Sequence, residues 1–365
     1  MIPIRVIAAV TFVLSISQAL AADAEPLQWY RCNTHTHTSA PGPGANESPA
    51  FVAQWYRSHG YQCLVITDHE FHTDVAPLNL QYGSDGRFLV LRGQEISQMV
   101  ADPTHQPGGV RHLHVNGINT DRVIMPIGPK DASNKTGLLK LAADSVSVTQ
   151  AYQRNLAEVA KAGGLAQINH PNLLWSADID DLLPLDTPYM LEIWNAFPTS
   201  NNLGSKDKAS TEAIWDALLT KGKTVWGVAS DDSHEYHTFD NRESPTPGKG
   251  WIVLQAPALT VPAVTEAMRA GRFYASTGVS LVRYSVDKVG ISIQIEQSVE
   301  WAPKLPPSAE YTTRFIGANG KVLAEVGGLT PQYRFNGTEQ YIRAVIVDSD
   351  GRKAWTQPAF SNARR

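Results

Sequence analysis

Tyr61-Gln62-Cys63-Leu64-Val65-Ile66-Thr67-Asp68-His69 sets an apolar run directly ahead of an acid and an imidazole. A run this short and continuous, bounded by polar residues, reads as a strand buried on both faces. The arrangement recurs along the chain. Trp29 to Thr36 runs into the pair His35 and His37, and Phe88 to Ile96 contains Glu95. His112 to Ile118 carries His112 and His114, and Leu165 to Asn169 is followed by His170-Pro171. Met190 to Trp194 contains Glu192, and Thr224 to Ala229 precedes Asp231, Asp232 and His234. Between several of these runs lie helical patterns: Pro49 to His59 after the cap candidate Ser48, Val148 to Ala162 ending at Gly163-Gly164, and Ala209 to Thr220. Strands alternating with helices predict a parallel sheet with covered faces.

The expected fold class is therefore α/β, a distorted (β/α)7 TIM-like barrel over 22–275. A last helix, Pro262 to Ala270, ends at Gly271. Beyond it come alternating segments such as Ile291 to Ile295, Tyr311 to Ile316 and Tyr341 to Val347, separated by Asn-Gly, Gly-Gly and Asp-Gly turns. That pattern predicts a small C-terminal antiparallel β-sandwich over 276–365. Pro41 to Pro49 and Ser244 to Gly250 read as loops, and no internal repeat is visible.

At 365 residues the chain suits a large barrel with an appendage. Its 42% hydrophobic and 18% charged residues argue against disorder, and a net charge of -4 offers no basic excess for nucleic acid. Arg5, the apolar run Val6 to Ile16 and Ala19-Leu20-Ala21 together form a secretory signal pattern over 1–21, with the mature chain expected from Ala22. That run is too short to span a bilayer, so the protein is expected in the periplasm or outside the cell. Cys32 and Cys63 could pair in an oxidising compartment. However, Cys32 lies three residues before His35 and Cys63 five before Asp68, a register that argues against a bond and leaves two buried thiols as the alternative.

The placement of histidines and acids carries the chemistry. Parallel barrels gather their active sites at the carboxyl ends of the strands, so groups scattered through some two hundred residues would meet at one mouth. A lone histidine at a strand end is more often structural than ligating. A His-x-His on a strand, however, turns both rings to one face. Burial of so many polar groups without partners would cost several kcal/mol apiece, whereas coordination would satisfy them. His112 is a further ligand candidate beside the better-spaced His114, Glu192 and Asp231 are candidate acceptors for ligand N–H groups, and Arg92 and Arg111 are candidate anion holders. His72 and His105, in loops, read as solvated.

The constellation resembles the PHP family, the polymerase and histidinol phosphatase group of metal hydrolases. It matches in order through His-Thr-His-Thr, Ile-Thr-Asp-His, Gly-Gln-Glu-Ile, His-Val-Asn-Gly, Asn-His-Pro and Asp-Asp-Ser-His, from Arg31 to His234. The segment Ala-Gly-Arg-Phe-Tyr-Ala-Ser-Thr-Gly from Ala270 looks like the secreted branch of that family, which includes carbamate-ester hydrolases. The resemblance implies two or three divalent ions: one held by His35, His37, Glu95 and Asp232, a second sharing Glu95 with His114 and His170, and a third position at His69 and His234. Asp68 would be a ligand or an orienting group. The sequence departs from the family after His-x-His, where Thr38-Ser39-Ala40-Pro41-Gly42-Pro43 offers no strong ligand, and this puts three-metal occupancy in question.

A His-rich set with a bridging carboxylate suits zinc, manganese or iron better than calcium. The expected activity is a metal-dependent phosphoesterase in which a metal-bridged hydroxide attacks a small-molecule ester, with Asp68 or His234 as proton donor. A carboxyl- or carbamate-ester hydrolase is the alternative. A non-catalytic periplasmic binding protein is a third reading, which loss of ligands would favour.

Overall fold

The computed structural model describes residues 26–40, 44–106, 108–128, 139–141, 146–239, 241, 243–297 and 310–360. The expected signal segment 1–21 and the expected start at Ala22 lie outside the described residues. No helix among the described residues is long and apolar enough to cross a membrane.

The elements run β1 (Gln28–Asn33), α1 (Pro49–Ser58), β2 (Cys63–Ile66), α2 (Ala76–Tyr82), β3 (Leu89–Ala101), β4 (Val110–Ile118), β5 (Leu139–Leu141), α3 (Val148–Lys161), β6 (Leu165–Ile168), α4 (Ile179–Leu182), β7 (Met190–Asn195), α5 (Thr211–Thr220) and β8 (Trp226–Ser230). There follow β9 (Trp251–Ala256), α6 (Val261–Arg269), β10 (Phe273–Ser276), β11 (Leu281–Val286), β12 (Gly290–Ile295), β13 (Tyr311–Gly317), β14 (Lys321–Gly327), β15 (Gln332–Arg334), β16 (Tyr341–Asp348), β17 (Lys353–Thr356) and β18 (Ala359–Phe360). Helix starts follow local chemistry. Ser48 accepts from the Phe51 N–H ahead of Pro49, Ser147 and Gln150 close a capping box, and Ser210 and Thr260 cap α5 and α6. Gly163 and Gly271 follow α3 and α6 with φ of 71° and 67°, a left-handed conformation that a Cβ would strain.

The molecule is a mixed α/β fold built on one large sheet, ordered β14-β13-β16-β17-β10-β9-β1-β2-β3-β4-β6-β7-β8. β1, β2 and β3 pair in parallel, as do β6, β7 and β8. The expected all-parallel sheet fails at β4, which is antiparallel to both β3 and β6. The link between β3 and β4 is a short turn, and a parallel partner would need a crossover of a dozen or more residues.

The expected closed barrel is not formed. β8 and β1 share no ladder, and beyond their ends a single bridge joins Thr36 to Ser233. Cys32, Cys63, Leu91, Ile118, Met190 and Val228 nevertheless pack into one core with Ile252 and Leu254, so the sheet curls without closing. The C-terminal strands also differ from the expectation. β13, β14, β16 and β17 extend the large sheet through β10, while β11, β12 and β15 form a separate three-stranded sheet. Ile293 of that small sheet shares a core with Tyr274, Phe315 and Ile346.

Cys32 and Cys63 form a disulfide, against the expectation. They are direct partners in the β1–β2 ladder, with Cα atoms 4.5 Å apart. With His35 level with Asp68, the two cysteines would lie two positions out of register. In the ladder, Asn33 faces Leu64 and the Thr67 N–H reaches the Thr36 carbonyl, so it is His37 that lies level with Asp68.

Candidate metal centre

His35 and His37 leave β1 on alternate positions and turn both rings into the curl of the sheet, fully buried. Their Nε2 atoms lie 3.2 Å apart, and each is 3.2 Å from Oδ1 of Asp232, which follows β8. Glu95, in β3, places Oε1 3.3 Å from His35 and Oε2 3.4 Å from His37. The same Oε1 lies 3.0 Å from Nδ1 of His114 and 3.3 Å from Nε2 of His170. His69 brings Nδ1 to 3.3 Å from Glu95 Oε2. The donors fall into overlapping groups: His35, His37 and Glu95; His35, His170 and Asp232; Glu95, His114 and His170; and His37, His69 and His234. Glu95 is thus shared by two groups and touches a member of every one.

The reversal of β4 explains one ligand position. Because β4 runs against β3, its first half faces the mouth, and His114 pairs directly with Ser97 beyond Glu95. Several metal-side residues also take backbone conformations unusual for their type, with φ of 25° at His170 and 49° at Asp232. Such strain is maintained where the surroundings over-determine it, as at binding sites.

Polar groups behind the donors fix their orientation. Glu192 accepts the His35 Nδ1–H at 2.8 Å, the His170 backbone N–H at 2.7 Å and the Asn195 amide at 2.8 Å. Asn195 also donates to Asp232 Oδ2, and Asn169 donates to Glu95 Oε1 at 2.8 Å. Ser97 Oγ lies 2.7 Å from His69 Nδ1. His234 Nδ1 lies 2.9 Å from the Asp232 carbonyl, which can only accept, so Nδ1 carries the hydrogen and Nε2 keeps the lone pair.

The electrostatics divide the rings. Burial would strip His35 of its proton, but Asp232, Glu95 and Glu192 hold it well above the usual imidazole range. The same contest of burial against Asp232 and Glu95 lifts His37 to about 9. Burial opposes ionisation of Glu95 and Asp232, yet the facing imidazoles keep both well below the ordinary carboxylate range. Burial together with His37 drives His69 down to about 3 and His234 to about 4, leaving both neutral. Carboxylates facing protonated rings here mark positions where a cation can replace protons.

The residues fit a metal. Asp232 Oδ1 is buried without a hydrogen-bond partner, although two imidazole nitrogens approach it, and His114 Nε2 is likewise buried and unpartnered. A carboxylate oxygen left without a hydrogen bond among crowded imidazoles is what a cation, displacing ring protons, would satisfy, and mixed nitrogen and oxygen donors suit zinc, manganese or iron.

Other sequence candidates fall outside these groups. Asp68 accepts from the Thr38 N–H at 2.7 Å, from the Thr38 hydroxyl at 2.9 Å and from Thr73, so it ties a loop rather than presenting a proton. Asp231 accepts from Asn33, Tyr56 and the N–H groups of Lys249 and Gly250, and meets no ligand histidine. His112 is half-buried, with its backbone N–H on Ser176. His105, expected in solvent, is buried on the Leu174 carbonyl, and His72 bonds Thr120. Arg111 is occupied by Asp102 and Asp181, while Arg92 keeps a buried Nε without a partner.

Sequence reasoning missed Glu70. Burial pushes its carboxyl up to about 9, and Oε1 accepts the Ser97 N–H. The unbroken Asp68-His69-Glu70 after a strand was the available signal. A cavity of about 1440 Å³ lies elsewhere, walled by Trp29, Trp226 and Phe273 among others, and none of the clustered donors lines it.

Fold and site together define a class: a mixed α/β protein carrying a buried histidine–carboxylate cluster suited to divalent metal ions. No family model and no curated protein matches the chain. Solved structures similar to it include a two-domain protein containing a predicted PHP-like metal-dependent phosphoesterase from Bacteroides vulgatus. It is 14% identical, with a TM-score of 0.45 over 89% of this chain and 92% of that one. A proposed metal-dependent phosphoesterase from Bifidobacterium adolescentis is also 14% identical, with a TM-score of 0.40 over 65% of this chain and 95% of that one. At that distance, the reading of this chain rests on its own residues.

Proposed function

We propose that this protein is an exported metal-dependent phosphoesterase of the PHP type, acting on a small-molecule ester. The observation that carries the reading is Glu95: one buried carboxylate whose two oxygens face His35, His37, His69, His114 and His170. His35, His37, Glu95 and Asp232 would hold one divalent ion, Glu95 with His114 and His170 a second, and His37, His69 and His234 a third. Within this reading 22–275 is an incompletely closed TIM-like unit and 276–365 an appended unit whose strands continue the large sheet and pack a small second sheet against it. The Cys32–Cys63 disulfide supports export, because such bonds persist in oxidising compartments.

Divalent ions supply Lewis acidity toward a phosphoryl oxygen and an activated water. The chain's own contribution is geometric. Glu192 fixes the His35 tautomer, Asn169 holds Glu95, and Asn195 holds Asp232. His234, with Nδ1 committed to a carbonyl, fits the ligand role better than that of proton donor.

The test is metal content by plasma mass spectrometry on chelator-free preparations of wild type and Glu95→Ala, with hydrolysis of an aryl phosphate and an aryl carbamate assayed in parallel. Two or three equivalents of zinc, manganese or iron, reduced in the variant together with phosphate-ester hydrolysis, is the expected result. A folded protein that takes up no added metal would end the hydrolase reading. Carbamate hydrolysis without phosphatase activity would transfer it to the alternative ester class.

A further inference from the structure

Another cavity, of about 620 Å³, lies away from the clustered donors, between β7, α5 and the C-terminal strands. Its walls include Trp194 and Leu203 from the β7 side, Glu212 and Asp216 of α5, and Arg343 and Lys353 of β16 and β17. Arg343 is 2% exposed. Its Nε and Nη2 grip Asp216 at 2.7 and 2.6 Å, but Nη1 is buried with no partner. Trp194 lines the same cavity, and its Nε1 is also buried with no partner. The neighbouring amide Asn202 is satisfied by the Asn195 backbone, so these two N–H groups are the conspicuous vacancies of the wall.

Buried N–H groups are rarely left without an acceptor, and both vacancies are donors. A guanidinium edge beside an indole N–H selects an oxygen acceptor, and the charged half of that pair favours an ionised one. We propose that this cavity is a binding site for a small oxyanion, bound by Arg343 Nη1 and Trp194 Nε1. Glu212 and Asp216 balance the charges of Arg343 and Lys353, so recognition comes from directed hydrogen bonds and affinity is modest. Two sources share this chemistry: inorganic phosphate, which an ester hydrolase of the proposed kind would release, and a short carboxylate. Trp194 lies between Glu192 and Asn195, so a bound anion would touch the strand that orients His35 and Asp232.

The test is calorimetric titration of the full-length protein with sodium phosphate and, separately, sodium acetate, using wild type, Trp194→Phe, Arg343→Lys and Glu95→Ala. Trp194→Phe keeps the ring and deletes the N–H. It is expected to weaken binding about tenfold, the usual loss for one hydrogen bond to a charged group. Glu95→Ala is expected to bind as wild type does, whatever becomes of the metal reading. The stronger titrant identifies the source. Should Arg343→Lys fail to fold, Trp194→Phe alone decides. Absence of binding by either anion, equal binding by Trp194→Phe, or loss of binding in Glu95→Ala would each overturn the proposal, the last by placing the anion in the metal centre.

Discussion

Glu192 has no exposed surface and stands behind two of the clustered histidines, taking the ring N–H of His35 and the backbone N–H of His170. A carboxylate in that position fixes which imidazole nitrogen keeps its lone pair and raises the basicity of the ring. Glu192→Gln preserves the shape but can turn a donor toward His35. The expected outcome is a 10- to 100-fold weaker metal affinity, the range typical of such partners, with the fold intact. Competition against a chromogenic chelator measures it, and an unchanged affinity would reduce Glu192 to a packing role. Asp68 was equally prominent in the sequence, yet it is spent on Thr38 and Thr73. Residue type and place in or just after a strand were legible for both acids, Glu192 within one and Asp68 at the end of another. Which one faced a ligand depended on neighbours far away in the chain.

β1 and β2 bring Cys32 beside Cys63 and, at the same register, His37 beside Asp68. The disulfide closes a loop with a sequence separation of 31, which on the chain-entropy model contributes about 3–4 kcal/mol by restricting the unfolded state. Replacing both cysteines by alanine should lower the free energy of urea unfolding by roughly that amount. The same unfolding midpoint with and without the bond would show that it adds nothing. β4 shows the opposite limit of sequence reading. Its apolar pattern identified a strand, but hydrophobic periodicity does not encode strand direction. The expected strands, ending at Ile96 and restarting at His112, left room for a crossover, and only the extension of β3 to Ala101 and of β4 back to Val110 makes the connection a hairpin.

Across the whole molecule, Asp216 of α5 and Arg343 of β16 form a buried bidentate pair joining the helical layer to the C-terminal strands, with Tyr341 donating to Asp216 at 2.9 Å. Removing one partner of such a pair leaves an uncompensated buried charge, which costs about 3–5 kcal/mol. Asp216→Ala should therefore destabilise the protein by that order and separate unfolding of the C-terminal strands from the rest. Denaturant unfolding followed by two probes would show this as non-coincident transitions. A single coincident transition at the wild-type midpoint would remove the pair from that role.

The core strands around the site, the four longer helices, the Ser48 cap and the inventory of clustered donors were legible in the sequence, because hydrophobic period, cap residues and ligand chemistry are local properties. His35, His37, His69, Glu95, His114, His170, Asp232 and His234 were all legible before any coordinates, and all lie in the cluster. The tertiary structure alone decided the direction of β4, the open edge between β8 and β1, the Cys32–Cys63 bond and the idle position of Asp68 relative to the metal groups. Each depends on register and long-range pairing, in which the free energy of a contact belongs to two distant segments and is written in neither.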